Sequence, residues 1–285
     1  MVISPHAVDT QNPSAVAEAV KGAFDLIGEA ASFPLLERLF GDVTSIFEGR
    51  YPGFQAIDME YHDFDHTLQV TVCLTHLLQG RSRTTDEPIL SVRDWELAVI
   101  SALLHDTGFL KVTGDNAGTG AKYTFIHERR SCNFAREYLW TLEISKAEIE
   151  DICSAMMCTG PRNNINKVTF RREEARQIAQ ILVTADYLAQ MSASDYLEKL
   201  PRLFLEFQEA FDTDNVPLKD RPYQSLQEML KMTPNFWHGY VLPLLEKEAG
   251  GKYRYLSDGG KSNPYFRAVE TNLEMLKHQL KIAKS

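Results

Sequence analysis

Apolar residues recur every three or four positions along most of the chain, which is the spacing of one helical face. The clearest early helices are SAVAEAVKGAFDLIGEAA and FPLLERLFGDVTSIFEGR, the second with a proline near its start. An apolar stripe from Val70 to Leu78 ends at Gly80, and SVRDWELAVISALLHD begins at a Ser91 cap and ends at Gly108. Further helices are predicted at 128–141, 145–158, 173–191, 194–211, 223–248 and 264–283, and only KVTF hints weakly at a strand.

This pattern predicts a single all-α domain over residues 1–285. We divide it into N-terminal helices (1–57), a core (58–192) and C-terminal helices (193–285) that complete a pocket. The best candidate for a break is the glycine-rich EAGGKYRYLSDGGKSNP, which can equally join two helices. Residues 107–126 hold four glycines and no clear periodicity, and a loop of this length is usually functional or disordered.

Composition narrows the classes of partner. The formal net charge of -9 and the lack of a basic stripe argue against a duplex nucleic acid as partner. No signal-peptide pattern or long apolar run is present, so we expect a cytoplasmic protein without a membrane partner. Cys73, Cys132, Cys153 and Cys158 lie in helical patterns without C-x-x-C spacing, and reduced, buried thiols are the better interpretation.

Four polar residues fall at inward positions of three predicted helices. His66 shares a face with Val70, and Asp186 lies inside an apolar stripe of its helix. His105 and Asp106 directly follow an apolar helix. Taken singly, each has an ordinary explanation: a core histidine bonded to a carbonyl, a helix cap or a structural ion pair.

Together, His66, His105, Asp106 and Asp186 favour a metal site. Imidazole and carboxylate ligands suit Mn, Fe, Zn or Mg, as one or two ions, and a cation offsets the hydration lost by buried carboxylates. This interpretation requires Asp186 to lie within about 6 Å of the His105–Asp106 pair.

The order His…His-Asp…Asp on an all-α chain resembles the HD superfamily of metal-dependent phosphohydrolases. The wider Y-H-D-x-x-H-T pattern at Tyr61–Thr67 is similar to the Y-H-N-x-x-H signature of class I cyclic-nucleotide phosphodiesterases and their bacterial relatives. The likeness continues through ALLHDTG, HERRS, TADYLAQM and PNFWHGYVLPLLE, and spans about residues 61–246.

The resemblance implies an HD-domain helical bundle and a role for each matching residue. His66, His105, Asp106 and Asp186 would be metal ligands, with Asp106 bridging to any second ion. His62 would be the general acid, and His127 either a ligand of the second ion or a structural histidine. Phe236 matches the aromatic residue that clamps the substrate base.

Three positions depart from the family pattern. Asp63 replaces the asparagine after the first histidine, and Gly108 and Phe109 lie where the family has a further histidine. Thr233 aligns with the glutamine that reads the base, which weighs against purine recognition.

The function this resemblance implies is metal-dependent hydrolysis of a small phosphate ester or phosphodiester, with a nucleotide-like substrate. A metal-activated water would attack phosphorus, and His62 would protonate the leaving oxygen. Asp63 or Asp65 would orient His62, unless both only cap the helix. The basic residues near the long loop are candidate phosphate partners or ordinary surface charges: Lys111, Lys122, Arg129 and Arg130. Residues that would line the substrate pocket, or else belong to the core, are Met156, Met157, Phe236 and Trp237.

Two other functions stay open from the sequence. One is a catalytically silent ligand-binding or regulatory module that kept the fold. The other is an HD-type di-iron oxygenase, although such sites generally use more histidines than this chain offers among its five candidates, the four ligands and His62.

Overall fold

The computed structural model describes residues 4–27, 33–84, 89–160, 162, 164–257 and 262–282. Within these residues the protein is helical, and the pairing of extended chain is limited to one isolated bridge between Phe54 and Val112. The helices are α1 (Pro13–Leu26), α2 (Phe33–Phe47), α3 (Phe64–Arg81), α4 (Val92–Leu104), α5 (His127–Trp140), α6 (Lys146–Met156), α7 (Glu173–Ser192), α8 (Tyr196–Thr213), α9 (Leu226–Phe236), α10 (Leu242–Lys247) and α11 (Pro264–Ile282). The predicted all-α class is therefore confirmed.

Capping side chains fix where several helices begin. The Asp63 carboxylate accepts a hydrogen bond from the backbone N–H of His66 at 2.8 Å and starts α3. In α4, Ser91 and Asp94 form a reciprocal capping box, and Ser145 and Glu148 do the same in α6. These caps explain why the predicted starts of α3, α4 and α6 agree closely with the structure.

Helix α3 lies at the centre and packs against α7 along its length. It is buried on almost every side, so its hydroxyl groups need partners within the helix. Thr71 and Thr75 donate hydrogen bonds to the carbonyl oxygens four residues earlier, at 2.9 and 2.8 Å. A single hydrophobic cluster takes side chains from all eleven named helices. The boundaries proposed after residues 57 and 192 stay a prediction.

Two predicted elements differ from the structure. The helix predicted at 223–248 is divided into α9, a π-helix at Trp237–Val241 and α10. Pro234 and Pro243 lie in this region and lack the N–H that a regular helix needs. KVTF is not a strand, because a 3₁₀ turn at Ile165–Lys167 occupies its start. The end predicted for the first helix, residues 28–31, lies outside the described residues.

The long segment 107–126 is ordered around two 3₁₀ turns, Thr107–Phe109 and Gly120–Tyr123. A Cβ atom at Gly108 would overlap the carbonyl oxygen of His127, so glycine permits the close approach of this segment to α5. The Gly108 N–H donates to the Ser131 hydroxyl at 2.8 Å. In the part of the chain that is described, no helix has the length and apolar character to cross a membrane.

Candidate metal centre

The four predicted ligands come from three neighbouring helices. His66 lies in the first turn of α3, His105 caps the end of α4 with Asp106 directly after it, and Asp186 lies on α7. All four residues are at least nine-tenths buried. Because α3 packs against both α4 and α7, residues separated by up to 120 positions in sequence meet at one point.

The polar atoms of these side chains face one another. His66, His105 and Asp106 each present an atom, and these atoms lie within 4.8 Å of one another. The Asp186 Oδ1 atom lies 3.3 Å from Nε2 of His66 and 3.9 Å from Nε2 of His105. The distance required of Asp186 by the sequence interpretation is therefore met.

Hydrogen bonds fix which nitrogen atom each histidine presents. The Nδ1 atom of His105 lies 2.8 Å from the carbonyl oxygen of Ala102, and that of His127 lies 2.8 Å from the carbonyl oxygen of Thr124. A carbonyl oxygen only accepts, so Nδ1 of both rings carries a proton. This tautomer leaves the lone pair of each ring on Nε2, directed towards the cluster, as metal ligation requires.

Three buried atoms at this point make no hydrogen bond to any described residue: Nε2 of His66, Nε2 of His105 and Oδ2 of Asp106. Their separations, 3.5 Å between His66 and Asp106 and 3.3 Å between His105 and Asp106, are too long for good hydrogen bonds. Two ligand atoms bound tetrahedrally to one ion at ordinary bond lengths are about 3.4 Å apart. The cluster thus fits a divalent metal ion, and the unpaired atoms are those that an ion would satisfy.

The second carboxylate oxygen of Asp106 faces another histidine. Its Oδ1 atom lies 3.7 Å from Nε2 of His127, whereas Oδ2 faces His66 and His105. Burial raises the pKa of Asp106, but the neighbouring imidazoles outweigh this and lower it to about 2. Asp106 is therefore an ionised carboxylate whose two oxygens face different histidines, His66 and His105 on one side and His127 on the other.

His62 lies beside this cluster and is held by a residue that the sequence analysis missed. Its Nδ1 atom lies 2.7 Å from Oε2 of Glu206, and Oε1 of Glu206 accepts from the backbone N–H groups of Glu60 and Tyr61 at 3.0 and 2.7 Å. Burial lowers the pKa of His62, but the charge and the hydrogen bond of Glu206 raise it to about 9. The ring is therefore a cation at neutral pH, with a proton on both nitrogen atoms.

Glu206 could have been found by the reasoning that identified Asp186. It lies three residues after Leu203 and four before Ala210, on the apolar face of α8. It replaces Asp63 and Asp65 as the residue that orients His62. Asp63 caps α3, and Lys199 forms ion pairs with both aspartates at 3.1 and 3.2 Å.

Phe109 occupies a position where the phosphodiesterase pattern has histidine. Its ring stacks on His127, with centroids 4.4 Å apart, and on His62, with centroids 4.9 Å apart. The ring is fully buried. It therefore separates His62 from His127 and fixes the planes of both imidazoles by contact instead of by ligation.

The basic residues proposed for phosphate binding hold the long segment in place. Lys111 is buried, pairs with Asp58 at 2.7 Å and donates to the carbonyl oxygen of Gly118 at 2.7 Å. Arg130 donates to the carbonyl oxygens of Gly108 and Leu110 at 2.7 and 2.8 Å.

Further contacts complete this assignment. Arg130 also stacks on Tyr123, at 3.6 Å from the ring centroid. Lys122 pairs with Asp115 at 2.6 Å, and Arg129 is exposed. Lys111, Arg130 and Lys122 thus have structural partners, and the described contacts give no support to a phosphate-binding role for these three side chains.

The predicted pocket residues divide into two groups. Met156 and Trp237 are fully buried, and the Trp237 indole N–H donates to Glu270 at 2.9 Å, so both belong to the core and its hydrogen bonds. Phe236 is half-buried, stacks on Tyr240 with centroids 5.3 Å apart, and lies 6.3 Å from the ring of Tyr187, which follows Asp186. Of these three predicted pocket residues, Phe236 is the one that approaches the cluster, through the ring of Tyr187.

Two other sequence positions have simple structural roles. Thr233 is buried and donates to the Met229 carbonyl oxygen of its own helix at 2.9 Å, so its hydroxyl is engaged within α9. The four cysteines are buried and free, as expected of reduced thiols.

The fold and the buried histidine–aspartate cluster describe an all-α protein with a candidate metal centre. The chain belongs to the Npun_R2479-like family, which it matches over residues 53–278. The matched region includes every residue of the cluster together with His62 and Glu206. No curated protein matches the chain.

Proposed function

We propose that the protein is a metal-dependent phosphohydrolase of the HD type that cleaves a small phosphate ester or phosphodiester, with a nucleotide-like substrate. The observation that carries the proposal is the meeting of three buried polar atoms without hydrogen-bond partners among the described residues: Nε2 of His66, Nε2 of His105 and Oδ2 of Asp106. A chain with no use for a cation would lose stability by burying these atoms unpaired.

In this proposal His66, His105, Asp106 and Asp186 hold one divalent ion, and Asp106 and His127 contact a second. The ion, when bound, supplies an activated water and neutralises charge on the phosphoryl oxygens. Manganese, iron, zinc and magnesium all accept this set of nitrogen and oxygen ligands.

His62 is suited to protonating the leaving oxygen. Glu206 occupies its Nδ1 atom, so the proton on Nε2 is the one available for transfer. The side chain of His62 is 18% exposed, whereas those of His66 and His105 are 3% and 1% exposed, so His62 is the histidine that substrate can reach. This arrangement supports a proton donor next to the ions but outside their ligand set.

The test is hydrolysis by purified protein loaded separately with each metal, using phosphomonoesters, cyclic mononucleotides and cyclic dinucleotides as substrates. We expect His105→Ala and Asp106→Ala to abolish turnover and lose metal. His62→Ala should lower kcat by about 10²–10⁴-fold while keeping the metal content. His238→Ala, which removes an exposed histidine, is the matched control and should leave both unchanged.

Full activity of Asp106→Ala, at unchanged metal content, would disprove the assignment of the site. Activity that depends on oxygen and iron, with no phosphate released, would instead identify a di-iron oxygenase. Metal binding without turnover of any substrate in the panel would favour a silent ligand-binding module.

A further inference from the structure

The three histidines of the centre differ in how their Nδ1 atoms are bonded. His105 and His127 each donate to the carbonyl oxygen three residues earlier. For His66 that carbonyl belongs to Asp63, and it already accepts the N–H of Thr67 at 3.4 Å as α3 begins. Because Nε2 of His66 faces Asp106 and Asp186, its Nδ1 atom must find a partner on another edge of the ring.

His66 also lines a small cavity between α3, α7 and α8. The cavity has a volume of about 10 Å³, close to the minimum that holds one water molecule. Its polar lining consists of Tyr61, His66, Gln69, Gln190, Asp195, Tyr196 and Lys199.

Most of these polar groups already have partners. The Tyr61 hydroxyl donates to Oε1 of Gln190 at 2.7 Å, and the Gln69 amide donates to Asp65 at 2.7 Å. Lys199 contacts Oδ2 of Asp195 at 3.2 Å. The Oδ1 atom of Asp195 is buried and makes no hydrogen bond to the described part of the chain, so it is an unpaired acceptor at this cavity.

We propose that the cavity holds one bound water, which accepts the Nδ1 proton of His66 and donates to Oδ1 of Asp195. Asp195 is then a positioning residue that acts on the metal ligand through the water. It keeps the proton of His66 on Nδ1 and leaves the lone pair on Nε2. This role rests on the proposed function, because it presumes that His66 binds an ion.

The proposal gives His66 the same kind of support that carbonyl oxygens give His105 and His127. A carboxylate acting through water also makes the imidazole a stronger base, and loss of such a partner typically weakens metal binding about 10–100-fold. Asp195 is the N-cap residue of α8, the helix that also carries Glu206, so the same helix and its cap would support both His66 and His62.

The experiment measures zinc affinity by competition with a chromophoric chelator, together with the ¹⁵N–¹H spectrum of the histidine rings in metal-free protein. We expect Asp195→Ala to weaken zinc binding about 10–100-fold and to allow the Nε2-protonated form of His66. Asp195→Asn, which keeps an acceptor oxygen and the packing, should lose less. Ala193→Val, which narrows the cavity from another side, should reproduce the loss by displacing the water.

Asp65→Asn is the matched control, because Asp65 also pairs with Lys199 but does not line the cavity. Its zinc affinity should stay within about twofold of wild type. Zinc binding by Asp195→Ala and Ala193→Val as tight as in wild type would overturn this inference and leave the metal centre intact. Failure of the wild-type protein to bind zinc more tightly than His105→Ala would overturn the metal centre itself.

Discussion

Two groups of charged side chains in this protein's interior differ in whether their members are paired with one another. In the first, Arg172 joins two helices by binding Asp94 of α4 at 2.5 Å and Asp151 of α6 at 2.6 Å. In the second, the candidate metal centre, the His66, His105 and Asp106 side chains meet with their facing atoms unpaired. Both groups lie between helices and both contain buried aspartates, yet only the first is complete without a ligand.

The difference separates a structural from a functional use of buried charge. Around Arg172, each charge has an opposite partner and Asp94 also completes the capping box of α4. Both aspartates are buried, so removing the arginine is destabilising because it leaves buried negative charge with less compensation. At the candidate metal centre the described residues supply no such compensation, so we expect it to come from a bound cation.

Removal of Arg172 should have the largest effect on stability. Arg172→Met leaves buried Asp94 without its arginine and leaves Asp151 only its contact with Arg171 at 3.3 Å. Because the Arg172 side chain is 32% exposed, solvent already screens part of this interaction, and we expect the free energy of unfolding to fall by about 1–3 kcal/mol. Urea unfolding of the metal-free protein measures this. The comparison predicts that Asp186→Asn, which removes charge from the incomplete group, costs less than about 1 kcal/mol. A larger loss for Asp186→Asn than for Arg172→Met would reverse the comparison.

Metal should stabilise the protein only through the incomplete group. At a free metal concentration of 100 Kd, we expect about 2.7 kcal/mol of added stability in wild type. The same increment should appear in Arg172→Met, because the ligands are untouched, and should vanish in Asp186→Ala. Thermal unfolding with and without metal, at matched ionic strength, checks all three proteins. An equal increment in Asp186→Ala would mean that the ion binds elsewhere.

Glu206 tests whether charge near the centre serves the reaction or the fold. Glu206→Gln keeps an acceptor for the Tyr61 N–H but weakens the bond that orients His62. We expect kcat to fall about tenfold, equivalent to about 1.4 kcal/mol, with metal content unchanged. Steady-state kinetics and metal analysis on one preparation decide this. Loss of metal in this variant would place Glu206 in support of the ligands instead.

The smallest expected effect is on how stability depends on pH in the acid range, and it comes from the Arg172 group. Burial raises the pKa of Asp94, but hydrogen bonds from Ser91 and Arg172 outweigh it and hold the net pKa below the ordinary value. A lowered folded-state pKa contributes stability above the unfolded pKa of about 3.9, and that contribution is lost as pH falls through the folded pKa. Below about pH 4 the stability of wild type should therefore drop more steeply than that of Arg172→Met. Parallel curves for the two proteins would contradict this.

Local pattern was sufficient to predict most helices and the main cluster. Asp63, Ser91 and Ser145 mark helix starts through their caps, and the structure agrees closely. Asp186 stood out because a carboxylate within an apolar stripe needs compensation. The division of the 223–248 helix was missed, because apolar periodicity continues through a π-helix with little change.

The partners of individual side chains were much harder to predict. Lys111 and Arg130 looked like phosphate ligands because they lie near a long glycine-rich segment, yet they bind Asp58 and the carbonyl oxygens of that segment. Glu206 was overlooked as the partner of His62 because the two residues lie 144 positions apart in the sequence. Such pairs depend on how distant helices pack, which no local pattern encodes.

The sequence by itself determined an all-α protein and the identity of its four metal-ligand candidates, because helical periodicity and buried polar residues are properties of short stretches. Only the tertiary structure decided that Glu206 holds His62, that Asp106 faces His127 as well as His66 and His105, and that Lys111, Lys122 and Arg130 already have partners. The physical reason is that hydrogen bonds and ion pairs act over about 3 Å. At that range, the packing of α3, α4, α7 and α8 decides which partners meet.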